Sequence, residues 1–175
     1  IGQSQITFKP NKYSVDPKID LKIKKLPFVD TGTLKNSMTF KVNWDQDTVF
    51  NQRDPIECHT RSFLRNDTIY ITGFMPLGFG FQLAIFGDSC LIAAAAVSDA
   101  NIYKLNKTDT TLFGEILLPT QVQKLILTTK PTFVEGGRVA GFVELESQEF
   151  YYVLEKSEMR SSIRLKAYFK TATIK

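Results

Sequence analysis

Apolar and polar residues alternate with period two along most of the chain. In Ile163-Arg164-Leu165-Lys166-Ala167-Tyr168-Phe169-Lys170 the odd positions are apolar and the even ones charged or amphipathic. That is the pattern of a strand with one face in a core and the other in water. Ile19-Asp20-Leu21-Lys22-Ile23-Lys24 and Phe40-Lys41-Val42-Asn43-Trp44 repeat it. Thr68-Ile69-Tyr70-Ile71-Thr72 is short and β-branched, and Phe79-Gly80-Phe81-Gln82-Leu83-Ala84-Ile85 alternates large with small or polar residues. Further strands are expected over 56–64, 112–118, 121–129, 138–146 and 149–155.

Turn-forming residues interrupt these runs at Asn66-Asp67, Gly87-Asp88, Ser98-Asp99-Ala100-Asn101, Asn106-Lys107-Thr108-Asp109 and Glu135-Gly136-Gly137. Residues 9–18, with two prolines, read as an extended arm or first loop leading into a strand at 19. Cys90 to Ala100 is ambiguous. Its four consecutive alanines suit a helix, but it has no polar face, and small residues also suit a strand packed closely on its neighbours. The strand is the favoured reading. No long amphipathic helix is present, which argues against parallel βαβ construction. The expected fold is all-β: an antiparallel β-barrel or β-sandwich of about ten short strands, with at most one short helix.

Composition narrows the function classes. The 175 residues suit one domain, and 43% of them are hydrophobic. A chain of this size folds without needing a disulfide or a metal. No apolar run reaches the roughly 18 residues of a helical membrane span; the longest is Cys90 to Val97. One histidine and two cysteines leave little for zinc or histidine chemistry, and no metal or cofactor is implied. Ile1-Gly2-Gln3-Ser4-Gln5 reads either as the tail of a bacterial secretory signal or as a trimmed boundary.

The net charge of +4 is uneven. Residues 1–41 and 160–175 each carry +5, and residues 42–159 carry −6. Basic terminal strands beside an acidic one would give a solvated face with protective edge lysines, or a site for an anionic partner. Nucleic acid is disfavoured, because only Tyr168 is an aromatic interleaved with basic residues.

Four groups of residues could carry chemistry. Phe86-Gly87-Asp88-Ser89 resembles the first block of the GDSL esterase family, which would make Ser89 a nucleophile. Such a serine needs a base, and no histidine follows Ser89; the single His59 precedes it. His59 shares a strand face with Glu57, Arg61 and Phe63, which suits a structural or solvent-facing side chain. Cys58 and Cys90 either form a disulfide or are two buried free thiols. Glu144 and Glu146 share a face, either as a carboxylate pair or as an acidic ladder facing the basic strand 163–170. Separately, Gly73-Phe74-Met75-Pro76-Leu77-Gly78-Phe79-Gly80-Phe81 could form the mouth of an apolar pocket, with Phe74, Met75, Phe79 and Phe81 as ligand contacts.

The segments Asn66-Asp67-Thr68-Ile69-Tyr70-Ile71-Thr72-Gly73, Gly137-Arg138-Val139-Ala140-Gly141-Phe142-Val143-Glu144-Leu145 and Ile163 to Phe169 have a further significance. Together they resemble small extracytoplasmic β-domains of unknown function in lipoproteins of Bacteroidetes-type bacteria. The resemblance covers residues 66–171. It implies an antiparallel barrel or sandwich on the outer side of a membrane, and it brings no catalytic residues. The expected function is a non-enzymatic extracytoplasmic module that binds a small apolar ligand or a cell-surface component. The alternative is an esterase-like hydrolase using Ser89.

Overall fold

The computed structural model describes residues 8–25, 37–44, 47–57, 59–74, 78–155 and 157–174, with residues 37–59 described through their backbone and pairing. The fold is all-β, with one short helix. Its elements begin with β1 (Asn11–Lys12), β2 (Ser14–Val15), α1 (Lys18–Lys24), β3 (Ser37–Trp44), β4 (Asp47–Glu57) and β5 (His59–Arg65). They continue with β6 (Thr68–Phe74), β7 (Phe79–Phe86), β8 (Ser89–Val97), β9 (Tyr103–Lys104) and β10 (Glu115–Leu127). The last three are β11 (Arg138–Ser147), β12 (Phe150–Leu154) and β13 (Ser157–Ala172).

Local chemistry sets the hairpins. Asn66 and Asp67 have φ of 49° and 55°, and they connect Arg65 to its partner Thr68 as a two-residue turn. Positive φ at both turn residues matches the right-handed twist of the flanking strands, and Asn and Asp tolerate it. Gly87, at φ 53°, opens the turn that pairs Phe86 with Ser89.

The main path of the sheet runs β4-β3-β13-β11-β10-β8-β7-β6-β5. Every pairing along it is antiparallel. The sheet is not closed into a barrel. It nevertheless curls around one core, to which β6, β7, β8, β10, β11 and β13 all contribute buried side chains. The Phe81 ring on β7 lies 5.9 Å from the Phe169 ring on β13, although three strands separate them in the sheet. Glycine opposite an aromatic makes room for this curl. Gly73 faces Phe81 across the β6–β7 ladder, and Gly141 faces Phe169 across β11–β13. In each pair the ring lies over the position where a Cβ would stand. Near the far edge, Leu64 N–H donates to the Ile174 carbonyl and Ile174 N–H donates to that of Ser62, at 3.1 and 3.0 Å. Ser62 and Thr171 add a buried hydroxyl contact of 2.9 Å. These bonds tie β5 to the end of β13 without forming a ladder.

Two expectations need correction. The alternating segment 19–24 is not a strand but helix α1. Ile19 and Ile23 stand one turn apart on the buried face, whereas Leu21 points away and is 59% exposed. An i, i+2, i+4 apolar triplet fits a strand, but its outer pair also fits a helix. Asp20 and Lys24, four residues apart and 2.6 Å from each other, support the helix from its solvent side. That hydrogen bond from Lys24 holds the Asp20 carboxyl below its ordinary range. Burying the two isoleucines contributes roughly 1.5–3 kcal/mol each. The segments 112–118 and 121–129, expected as two strands, are one strand, β10, with a register shift between Thr120 and Val122. The bulge absorbs the irregularity that Pro119-Thr120 shows in the sequence. The alanine-rich segment is strand β8, as favoured, and its alanines are buried on both faces.

Candidate docking face

The outer surface of the curled sheet has two unlike halves. On β11 and β13 the outward positions carry two ion pairs, beside the Phe142 and Tyr168 rings, whose centroids are 4.9 Å apart. Glu144 meets Lys166 at 3.1 Å, and Glu146 accepts from Arg164 Nε and Nη2 at 3.1 and 2.7 Å. The cross-strand register sets these pairs directly opposite each other. Gln121 also donates to Glu146, at 3.1 Å. Both carboxylates are thus occupied as rungs of an ion-pair ladder, and the paired-carboxylate reading has no free acid here.

On β6, β7 and β8 the outward positions carry no charge at all. Cross-strand rows define this face. One row runs Phe63, Tyr70, Ala84, Leu91, and the next runs Arg61, Thr72, Gln82, Ala93. A third runs Phe74, Gly80, Ala95. The accessible part lies in the first two rows, since Ala93 is 7% exposed and Ala95 and Gly80 are buried. Aromatics rise at its side. Phe63 and Tyr70 stack with centroids 5.0 Å apart and planes 12° apart, and Phe63 is 39% exposed. Next to them, Ile174 is 61% exposed. Arg61 and Arg65 flank Phe63 on the same side of β5 and are exposed, and no ion pair is recorded for either among the described residues.

The chain matches no family model, no curated protein and no solved structure.

The expected pocket residues do not converge. Phe81 is fully buried in the core, and Phe79 packs against that core from the same inner face. Phe74 lies on the outer face, its ring beside Gly80. Met75 lies outside the described residues. Of the four, Phe74 alone lies on this outer face among the described residues. Cys58 also lies outside the described residues. Cys90 is a free, fully buried thiol, and burial pushes its pKa up to about 11.

Ser89 opens β8, paired with Phe86 on one side and Lys12 on the other. His59 pairs with Phe74, in the row of Gly80 and Ala95. The two positions are three strands apart and six residues apart along the sheet. Strand spacing of about 4.8 Å and a rise of about 3.3 Å per residue separate them by more than ~20 Å. No proton transfer links Ser89 to His59 over that distance.

The candidate face adds Arg61, Tyr70, Ala84 and Leu91 to the residues that the sequence singles out. The signal was present in the even-numbered positions from 68 to 86 and the odd-numbered ones from 89 to 97, none of which is charged. Alternation identifies the inner face but leaves the polarity of the outer face undetermined.

Proposed function

We propose that the protein is a non-enzymatic association module that docks a partner protein on the outer face of β6, β7 and β8. The observation that carries this reading is the absence of charge from the outward positions of three adjacent strands, in a sheet whose β11 and β13 carry an ion-pair ladder outward. Contiguous uncharged, partly aromatic surface of this kind marks binding sites rather than solvated surface. The partner's chemistry follows from the rim. Arg61 and Arg65 call for carboxylates, and the half-buried Ala84 and Leu91 call for an apolar ridge. Stacked Phe63 and Tyr70 supply rigid contact area at low entropic cost. The resemblance over residues 66–171 supports an extracytoplasmic setting.

The test is site-specific photocrosslinking in extracts of the source cells, with the reactive side chain placed at Ala84 or, as control, at Lys166 on the ion-paired face. One protein adduct should form from position 84 and not from 166, and Arg61→Glu with Arg65→Glu should abolish it. Equal adducts from both positions, or an adduct that survives charge reversal, would refute the proposal.

A further inference from the structure

Strands β8 and β10 do not stay together. They pair from Glu115↔Val97 to Pro119↔Ala93, and the Thr120 hydroxyl then donates to the Ile92 carbonyl at 3.1 Å. Beyond that point β10 shifts register and the two strands part. The chain's own arm lies in the fork. Asn11 and Lys12 of β1 pair antiparallel with Cys90 and Ser89, and Ser14 and Val15 of β2 pair parallel with Ile126 and Leu127. Asp16 N–H donates to the Leu127 carbonyl at 2.9 Å. The Tyr13 hydroxyl donates to the Gly87 carbonyl at 2.9 Å, and its ring packs against the core. The arm thus restores the hydrogen bonding that β8 and β10 lose to each other.

We propose that this fork is a strand-binding site, and that the arm of a second copy of the chain can occupy it in place of the resident one. Three features support exchange. Main-chain hydrogen bonds dominate the seat on both flanks, and these are the same whether the strand arrives in cis or in trans. Side-chain anchoring is light: Tyr13 packs against the core, while β2 is exposed on both residues and Val15 is 43% exposed. The link from the arm to the body is short, since the arm ends at Asp16 and α1 begins at Lys18, whose N–H donates to Asp16 Oδ1 at 2.9 Å. Identical elements exchanged across a short link are a low-cost route to paired copies. An arm withdrawn from the fork would leave two unpaired strand edges, which are templates for another strand.

The experiment uses the full chain carrying Lys12→Cys and Ser89→Cys, which face each other across the β1–β8 ladder, with Cys58→Ser to remove a competing thiol. Protein is incubated reduced at low and high concentration, then oxidised and separated without reductant. Exchange predicts an internally linked monomer at low concentration and a covalent dimer whose fraction rises with concentration. Mixing with a tagged copy should give a tagged–untagged dimer. A second pair, Ser14→Cys with Ile126→Cys on the β2–β10 ladder, repeats the test should the first fail to fold. Only internally linked monomer at every concentration in a folded variant, with no mixed species, would overturn the proposal.

Discussion

Gly80 gives the sharpest test of how the sheet is packed. A Cβ at this position would stand 2.1 Å from the Gly73 carbonyl oxygen and 2.9 Å from Phe74 Cδ1. An ordinary contact begins near 3.4 Å, so Gly80→Ala must open the β6–β7 spacing by roughly 1 Å. The obstructing atom is backbone, held by Gly73↔Phe81 and Phe74↔Gly80 in the ladder, and cannot swing aside as a side chain would. Overpacking of this kind costs about 1–3 kcal/mol, and one weakened ladder bond adds about 1 kcal/mol. A total of about 3 kcal/mol should lower the melting temperature by roughly 6–12 °C in a chain of this length. Gly87→Ala is the matched control. Nothing lies within 4 Å of its added Cβ, so it bears only the strain of a positive φ, about 1–2 kcal/mol. Urea unfolding of both variants, with calorimetry, measures the difference. A Gly80→Ala cost no larger than that of Gly87→Ala would refute the close-approach argument.

Other outcomes follow from the same geometry. Ile23→Ala should destabilise by about 2–5 kcal/mol in urea unfolding, because Ile23 is buried under α1, while Leu21→Ala should change stability by less than about 0.5 kcal/mol; equal effects would mean that α1 does not dock by that face. Cys90 and Tyr103 make stability fall at alkaline pH. Burial raises the Cys90 thiol from 9.0 to about 11, and burial together with Tyr152 raises Tyr103 from 10.0 to about 12. Below pH 9 both groups stay protonated whether folded or unfolded and have no effect. Above it the unfolded chain loses their protons first, so stability should drop progressively from about pH 9 to 12, with Cys90→Ala flattening the lower part of that fall.

The inner face of the sheet was legible in the sequence because burial imposes a strict period of two, and β6, β7, β11 and β13 follow it. The β8 strand was legible for a different reason: a run with no polar face cannot be a surface helix. What escaped were features that local pattern does not encode. Ile19 and Ile23 fit a strand or a helix equally until it is known which surface they cover. The joining of 112–118 to 121–129 depends on partners as distant as Ser147 and Ala93, which let β10 run on through a bulge. Alternation places Phe81 on a face but does not encode that the curl brings Phe169 within 5.9 Å of it.

Strand β13 also constrains how the chain assembles. Its Ser161–Tyr168 stretch pairs with Trp44–Ser37 of β3, more than a hundred residues earlier, while its other edge pairs with β11 and β12 close behind it. During synthesis the edge of β3 must therefore wait unpaired until nearly the whole of the described chain has been made. Local hairpins such as β5–β6 and β6–β7 can form early, but the step that joins β3 and β4 to the rest of the sheet is non-local and carries a large loop-closure cost. Folding should accordingly be slow for a chain of this size, with the β3 edge the surface most exposed to aggregation until β13 arrives.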